Sequence, residues 1–276
     1  IQQKLIVAYQ QNQNWQQAAE ELMGLHQANP QSEEGRQALY VAAQYFHKID
    51  NIPQALNAYR SYAHAYPLPY AEANEARFMM SEFYLKSAEP NKRRFWLNKL
   101  IQADRQAQNA PSIERTLRSR YLAAMASKVL ADDKLTQYKS IKLVQPLKAS
   151  LAKKKTALNS ALDAYNQTLG YKVAEFTTAA NFSIADIYHQ LAKDLMDSSR
   201  PNNLNALELE QYDLLLEEQA YPFEEQAIDI HQTNAKRSWQ GDYDQWVQNS
   251  FNALKTLLPG RFNKQEQSPE VLNEIY

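Results

Sequence analysis

Two stretches of this chain repeat one another at a fixed offset of 37 positions, and that offset constrains the fold more than any other feature. Asn14-Trp15 is followed by Ala18, Leu22, Leu25 and Pro30; Asn51-Ile52 is followed by Ala55, Tyr59, Tyr62 and Pro67. Each stretch reads as a polar turn, an apolar residue, a small residue, large apolar residues four and seven further on, and a Pro that ends a helix. The small residue lets two helices approach closely, and the large ones fill the groove between neighbouring pairs. Elsewhere apolar residues recur at spacings of three and four, and strict alternation is nearly absent. Prolines at 30, 67, 69, 90, 111, 201, 222, 259 and 269 fall as breaks between periodic stretches, giving roughly a dozen helices. Pro53 sits where a helix begins, and Pro146 is expected to start a long helix or kink it.

Composition agrees with an all-α chain. Five glycines in 276 residues, at 24, 35, 170, 241 and 260, leave no Gly-rich phosphate loop and too few turn residues for a β-sandwich. Thirty Lys and Arg against 31 Asp and Glu give a net charge of −1, which points to neither nucleic acid nor a membrane surface as partner. There is no cysteine, hence no disulfide frame and no thiolate chemistry. No apolar run approaches the roughly 20 residues that span a bilayer. The chain starts Ile-Gln-Gln, which reads as an excised fragment whose targeting information is missing.

The 37-residue pattern resembles the tetratricopeptide repeat (TPR). In that family a small residue opens the second helix, an aromatic follows four on, and a Pro closes the unit; Ala55, Tyr59 and Pro67 match. In the first unit Ala18 and Pro30 match, and Leu22 replaces the aromatic. The first-helix signature of the family is largely lost. A third unit, Ala71 to Pro111, stretches the spacing, and a last, degenerate one is marked by Gly241-Asp242-Tyr243, Trp246, Ala253 and Pro259. The resemblance implies a TPR-like helical-hairpin solenoid whose first helices line an inner, segment-binding groove. By that analogy Tyr45, His47, Lys48, Arg77 and Lys86 are the groove candidates.

The middle departs from the repeat. Leu147, Leu151, Leu158, Leu162, Tyr165 and Leu169 form one long three-four run, and Val173, Phe176, Ala180, Ile184, Ile187, Leu191 and Leu195 form another. Gly170 between them predicts a long central hairpin, the rival being one bent helix. The expected organisation is therefore TPR-like repeats over 1–111, a long-helix region over 112–200, and C-terminal helices with a degenerate repeat over 201–276.

Residues 214–228, followed by Asn234, Gly241–Trp246 and Pro259–Phe262, resemble the C-terminal part of large bacterial TPR proteins of the cell envelope, which accompany Ton/Tol-type and gliding-motility-type systems. Membership implies a periplasmic or envelope-associated interaction protein, the alternative being cytoplasmic. On the residues themselves, Pro222 is expected to end one helix and open the next, and Trp239, Tyr243 and Trp246 to form an aromatic cap sealing the end of a solenoid.

Catalytic chemistry finds little support. The five histidines, at 26, 47, 64, 189 and 231, show no metal-pair spacing, and there is no Gly-x-Ser-x-Gly. Glu33-Glu34 and Glu224-Glu225 read as acids of first helical turns. No catalytic residue, cofactor or metal is expected. Seven lysines and no acid lie between Lys134 and Leu162, and eight acids and no base between Pro201 and Ala235. These are either solvated faces or, for Lys142, Lys148, Lys153, Lys154 and Lys155, a basic docking face for an acidic partner or anionic headgroups. A second basic cluster, Lys92, Arg93, Arg94, Lys99 and Arg105, reads as the outside of a helix whose core face is Phe95, Trp96, Leu97, Leu100 and Ile101. The expected function is a non-catalytic scaffold for protein or peptide segments, with no nucleic acid and with membrane contact left open. The alternative is a substrate-recruiting or regulatory module of a larger enzyme or of a secretion or assembly factor.

Overall fold

A computed structural model describes residues 2–264; Pro269 and the rest of the C-terminus lie outside the described residues. Among these residues the chain is all-helical, with no strand. In order come α1 Gln2–Gln11, α2 Trp15–Ala28, α3 Glu33–Lys48, α4 Ile52–Ala65, α5 Tyr70–Lys86, α6 Pro90–Gln108, α7 Leu117–Ser140, α8 Leu147–Leu169, α9 Ala174–Met196 and α10 Ala206–Ala235. A 3-10 turn, Lys236–Gln240, leads to α11 Gln245–Leu257 and α12 Pro259–Phe262. None of these helices is long and apolar enough to cross a membrane. The chain divides into two compact units, 1–130 and 131–276, with the division inside α7. The region 112–200 is thus shared between units.

In the first unit α1 to α6 pack as successive neighbours. Helices α2 and α4 have the same length, and both of their ends are displaced by the 37 positions of the sequence offset. Two of the three matched pairs are buried alike, while Leu25 is only half-buried where Tyr62 is fully buried. Ala18 and Ala55 are fully buried, and Leu22 and Tyr59 belong to one core cluster. The helix starts are written locally. Ser32 caps α3 by accepting a hydrogen bond from the Gly35 amide, with Glu33 and Glu34 in the first turn. Gly35 is required by close approach, since a Cβ there would lie 2.0 Å from the Asn29 carbonyl oxygen. Tyr66 donates to the Pro30 carbonyl at 2.6 Å and so ties the end of α4 to the loop closing α2. On α6, Trp96, Leu97, Leu100 and Ile101 are buried as expected, but Phe95 points outward, about half exposed.

The second unit is built from long helices. Gly170 caps α8, and the chain turns through Tyr171–Val173 into α9, so the two runs are separate helices and not one bent one. Tyr165 of α8 meets Ser183 of α9 near the turn, and Lys154 meets Asp194 eleven residues further along each helix. That register is antiparallel, the central hairpin expected from the two runs. The 30-residue α10 runs unbroken through Pro222, against the expectation of two helices meeting there. Removing one backbone donor and crowding the carbonyl four residues back costs ~3 kcal/mol. Around Pro222, burial of Ala220 and Ala227 and stacking of Phe223 on Tyr188, centroids 6.4 Å apart, favour continuation. Glu224 and Glu225 accordingly lie in mid-helix and not in a first turn. Gly241 adopts a left-handed φ of 92° after the 3-10 turn, and Asp244 caps α11 through the Trp246 and Val247 amides.

Candidate functional site

The groove candidates separate into distinct places. Tyr45 and Lys48, on the last turns of α3, meet at Trp15 of α2. The Tyr45 ring lies 4.9 Å from the indole, and the Lys48 ammonium sits 3.5 Å from its centroid. Gln10 of α1 donates to the Tyr45 hydroxyl at 2.9 Å, fixing the ring from the other side. His47 instead turns edge-on to Phe83 of α5, with centroids 5.3 Å apart. Lys86, at the end of α5, is exposed. Of the other tyrosines, Tyr59 and Tyr62 are core, and Tyr40 packs on both at 6.1 and 5.1 Å. Burial, with Glu75 and Glu72 adding to it, pushes the Tyr40 phenol up to about 12, so it acts as a neutral hydroxyl.

Arg77 occupies a different place, a cleft of about 220 Å³ between α4, α5 and α6. Its neighbours there are His64 of α4 and Trp96, Lys99, Gln102 and Gln106 of α6, with Ala63 and Ala103 leaving the space open. His64 packs against Trp96 at 5.1 Å. The guanidinium donates to the Asn74 side chain at 2.8 Å, which holds it in place. Burial lowers the Arg77 pKa from its ordinary value, and only the neighbouring Tyr70 opposes that shift. Among the described residues no carboxylate lines the cleft. Sequence reasoning named Arg77 but not its companions. Lys99 stood within the second basic cluster, and Lys99, Gln102 and Gln106 follow a helical three-four spacing that marks them as one polar face of α6.

In the second unit the expected basic face is not one face. Lys142, Lys148, Lys153 and Lys155 are exposed, but at 100° per residue Lys153 stands roughly 140° around the helix from Lys148. Lys154 is a correction: only 1% exposed, it donates to the Ile141 carbonyl at 2.7 Å, pairs with Asp194 at 2.5 Å and lies 4.4 Å from the Tyr138 ring centroid. It is a core cation and not part of a docking surface. The ion pairs of the lysine-rich stretch run from Lys139 and Lys154 to Asp186 and Asp194 of α9. The acidic α10 holds Arg200 through Asp213 at 2.7 Å.

A cleft of about 320 Å³ between α9 and α10 is lined by His189, Lys193, Glu217, Tyr221 and Glu224, so acids and bases offset one another there. Beneath the C-terminal helices His231 and Ser250 approach to 3.3 Å, the spacing of a nucleophile and its base. Both are buried, however, and Asn234 also donates to Ser250 at 3.0 Å and to the Thr178 carbonyl at 3.1 Å. Asp244 accepts from the Thr178 hydroxyl at 2.5 Å. This is a polar core joining α9, α10 and α11. The expected aromatic cap is not formed: Trp239 is 82% exposed, Tyr243 lies over Phe251, and Trp246 packs on Phe182. Among the described residues no cluster of His, Asp or Glu could hold a metal ion. No family model matches the chain, and no curated protein matches it.

Proposed function

We propose that the chain is a non-catalytic, TPR-type scaffold that binds protein segments and serves a bacterial cell-envelope complex of the Ton/Tol type. The observation that carries this reading is the repeat. Helices α2 and α4 share length, start, small contact residue and core residue at one offset, as stacked repeat units do. Supporting it, the clefts are open surface features, and the Ser250–His231 pair is sealed from solvent. In this reading the segment-binding surface is the Trp15–Tyr45–Lys48 cluster, supported by aromatic area and a cation lying together there. The envelope assignment rests on the sequence resemblance of residues 214–262.

The test is site-specific photocrosslinking in the envelope fraction of the native host. A photoreactive residue at position 48 is expected to give a discrete protein adduct that is lost with Trp15→Ala, while one at position 153 gives none. Absence of an adduct at position 48, or the same adduct at both positions, would refute the reading. Recovery of the protein only in the cytosolic fraction would refute the envelope assignment.

A further inference from the structure

We propose that the cleft between α4, α5 and α6 is a binding site for a phosphoryl group, with Arg77 as its fixed anchor. Arg77 has lost much of its water and is bonded to a neutral amide, and among the described residues no carboxylate balances it. A partly desolvated guanidinium in this state gains most from an anion that supplies both charge and acceptors. The rest of the lining points the same way. Lys99, its ammonium 5.5 Å from the Phe95 ring centroid, adds a second positive charge at the rim, His64 a ring nitrogen, and Gln102 and Gln106 carry amide donors.

The balance favours phosphoryl over carboxylate. Two permanent positive charges match a dianion, and the donors of Arg77, Lys99, Gln102 and Gln106 exceed what two carboxylate oxygens accept. The space of about 220 Å³ admits one such group with part of whatever bears it. The α9–α10 cleft is larger but lined by both signs of charge, and no such preference arises there. The site shares no residue with the Trp15–Tyr45–Lys48 surface, so it stands or falls separately from the scaffold reading.

Isothermal titration of the whole chain with inorganic phosphate, repeated with acetate at matched ionic strength, tests the proposal. Saturable single-site phosphate binding is expected, with weaker acetate binding. Lys99→Gln, an exposed position that the fold does not need, should weaken phosphate by about tenfold, as loss of one charge-assisted hydrogen bond does. Arg77→Gln should abolish it. If Arg77→Gln unfolds, Lys99→Gln decides alone. Absence of saturable phosphate binding, equal binding of acetate, or unchanged binding in Lys99→Gln would overturn the proposal. A phosphoserine peptide and its unphosphorylated twin then separate the sources. Tighter binding of the phosphopeptide than of phosphate assigns the group to a partner segment, and equal binding assigns a free anion; either outcome supports the site.

Discussion

Helix contacts in the first unit run largely through alanine, whereas in the second several run through buried polar groups. Ala18, Ala42, Ala55, Ala58 and Ala76 sit where helices approach in the first unit, with Tyr59, Tyr62, Met80 and Phe83 filling the space beside them. In the second unit Lys154, Thr178, His231, Asn234 and Ser250 are all buried, and each is paired with a group distant in sequence, Asn234 through its amide NH2. The alanine contacts respond to change through shape, although the first unit also buries Asp104, bonded by Arg115 at 2.9 and 2.8 Å. The second couples shape to hydrogen bonding and charge, so removing one partner leaves another stranded.

The sharpest way to break this contrast is Asp194→Ala. It leaves the Lys154 ammonium buried without its counter-charge, and a loss of about 3–5 kcal/mol is expected. Lys154→Met removes the charge and keeps the volume, so it should be far milder, and Lys153→Gln should fall within about 0.5 kcal/mol of wild type. Hydrogen exchange along α8 and α9 reads all three. Equal, small effects for Asp194→Ala and Lys153→Gln would mean that the pair contributes nothing.

Acid should separate the units next. Burial pushes His231 down to about 4, with Asp186 opposing and His189 adding to the shift. The unfolded imidazole titrates near 6.5. Between these values the unfolded chain binds a proton that the folded chain does not. The neutral ring's contribution is therefore complete above about 6.5 and lost as pH falls toward 4, on the order of 3 kcal/mol in total. Hydrogen exchange in α10 and α11 should rise over that window, and His231→Asn should flatten the rise. An unchanged slope in the variant would show that the ring is not the group responsible.

The smallest effect probes the repeat itself. Ala55→Leu inserts bulk at a fully buried helix contact, and a loss of about 1–3 kcal/mol is expected; Ala18→Leu, 37 positions earlier, should behave alike. Denaturant midpoints followed at Trp15 and Trp96 measure both. Strongly unequal costs would mean that the two positions share a spacing without sharing a packing role.

Much of the first unit was legible because its signals are local. The polar turns at Asn14 and Asn51 and the helix-ending prolines at 30 and 67 all act within a few residues of where they are written. The Gly170 boundary was legible for the same reason. Pro222 misled, because a local break signal lost to tertiary burial on both sides of it. Lys154 misled because charge in a sequence reads as solvent-facing, while Asp194, forty residues away, together with the Ile141 carbonyl and the Tyr138 ring, makes its burial tolerable. Arg77 was picked from its place on a first helix, while the α6 side chains that complete its cleft could not be paired with it by spacing.

By itself, then, the order of residues determined that this chain is helical, where most helices begin and end, and which two of them repeat. Those properties follow from backbone sterics, capping and periodicity, which operate over one or two turns. The tertiary structure decided which cations are buried and which exposed, which histidine is held neutral, and which cleft keeps an unbalanced positive charge. Desolvation and pairing depend on what lies opposite in space, and no spacing along the chain encodes that.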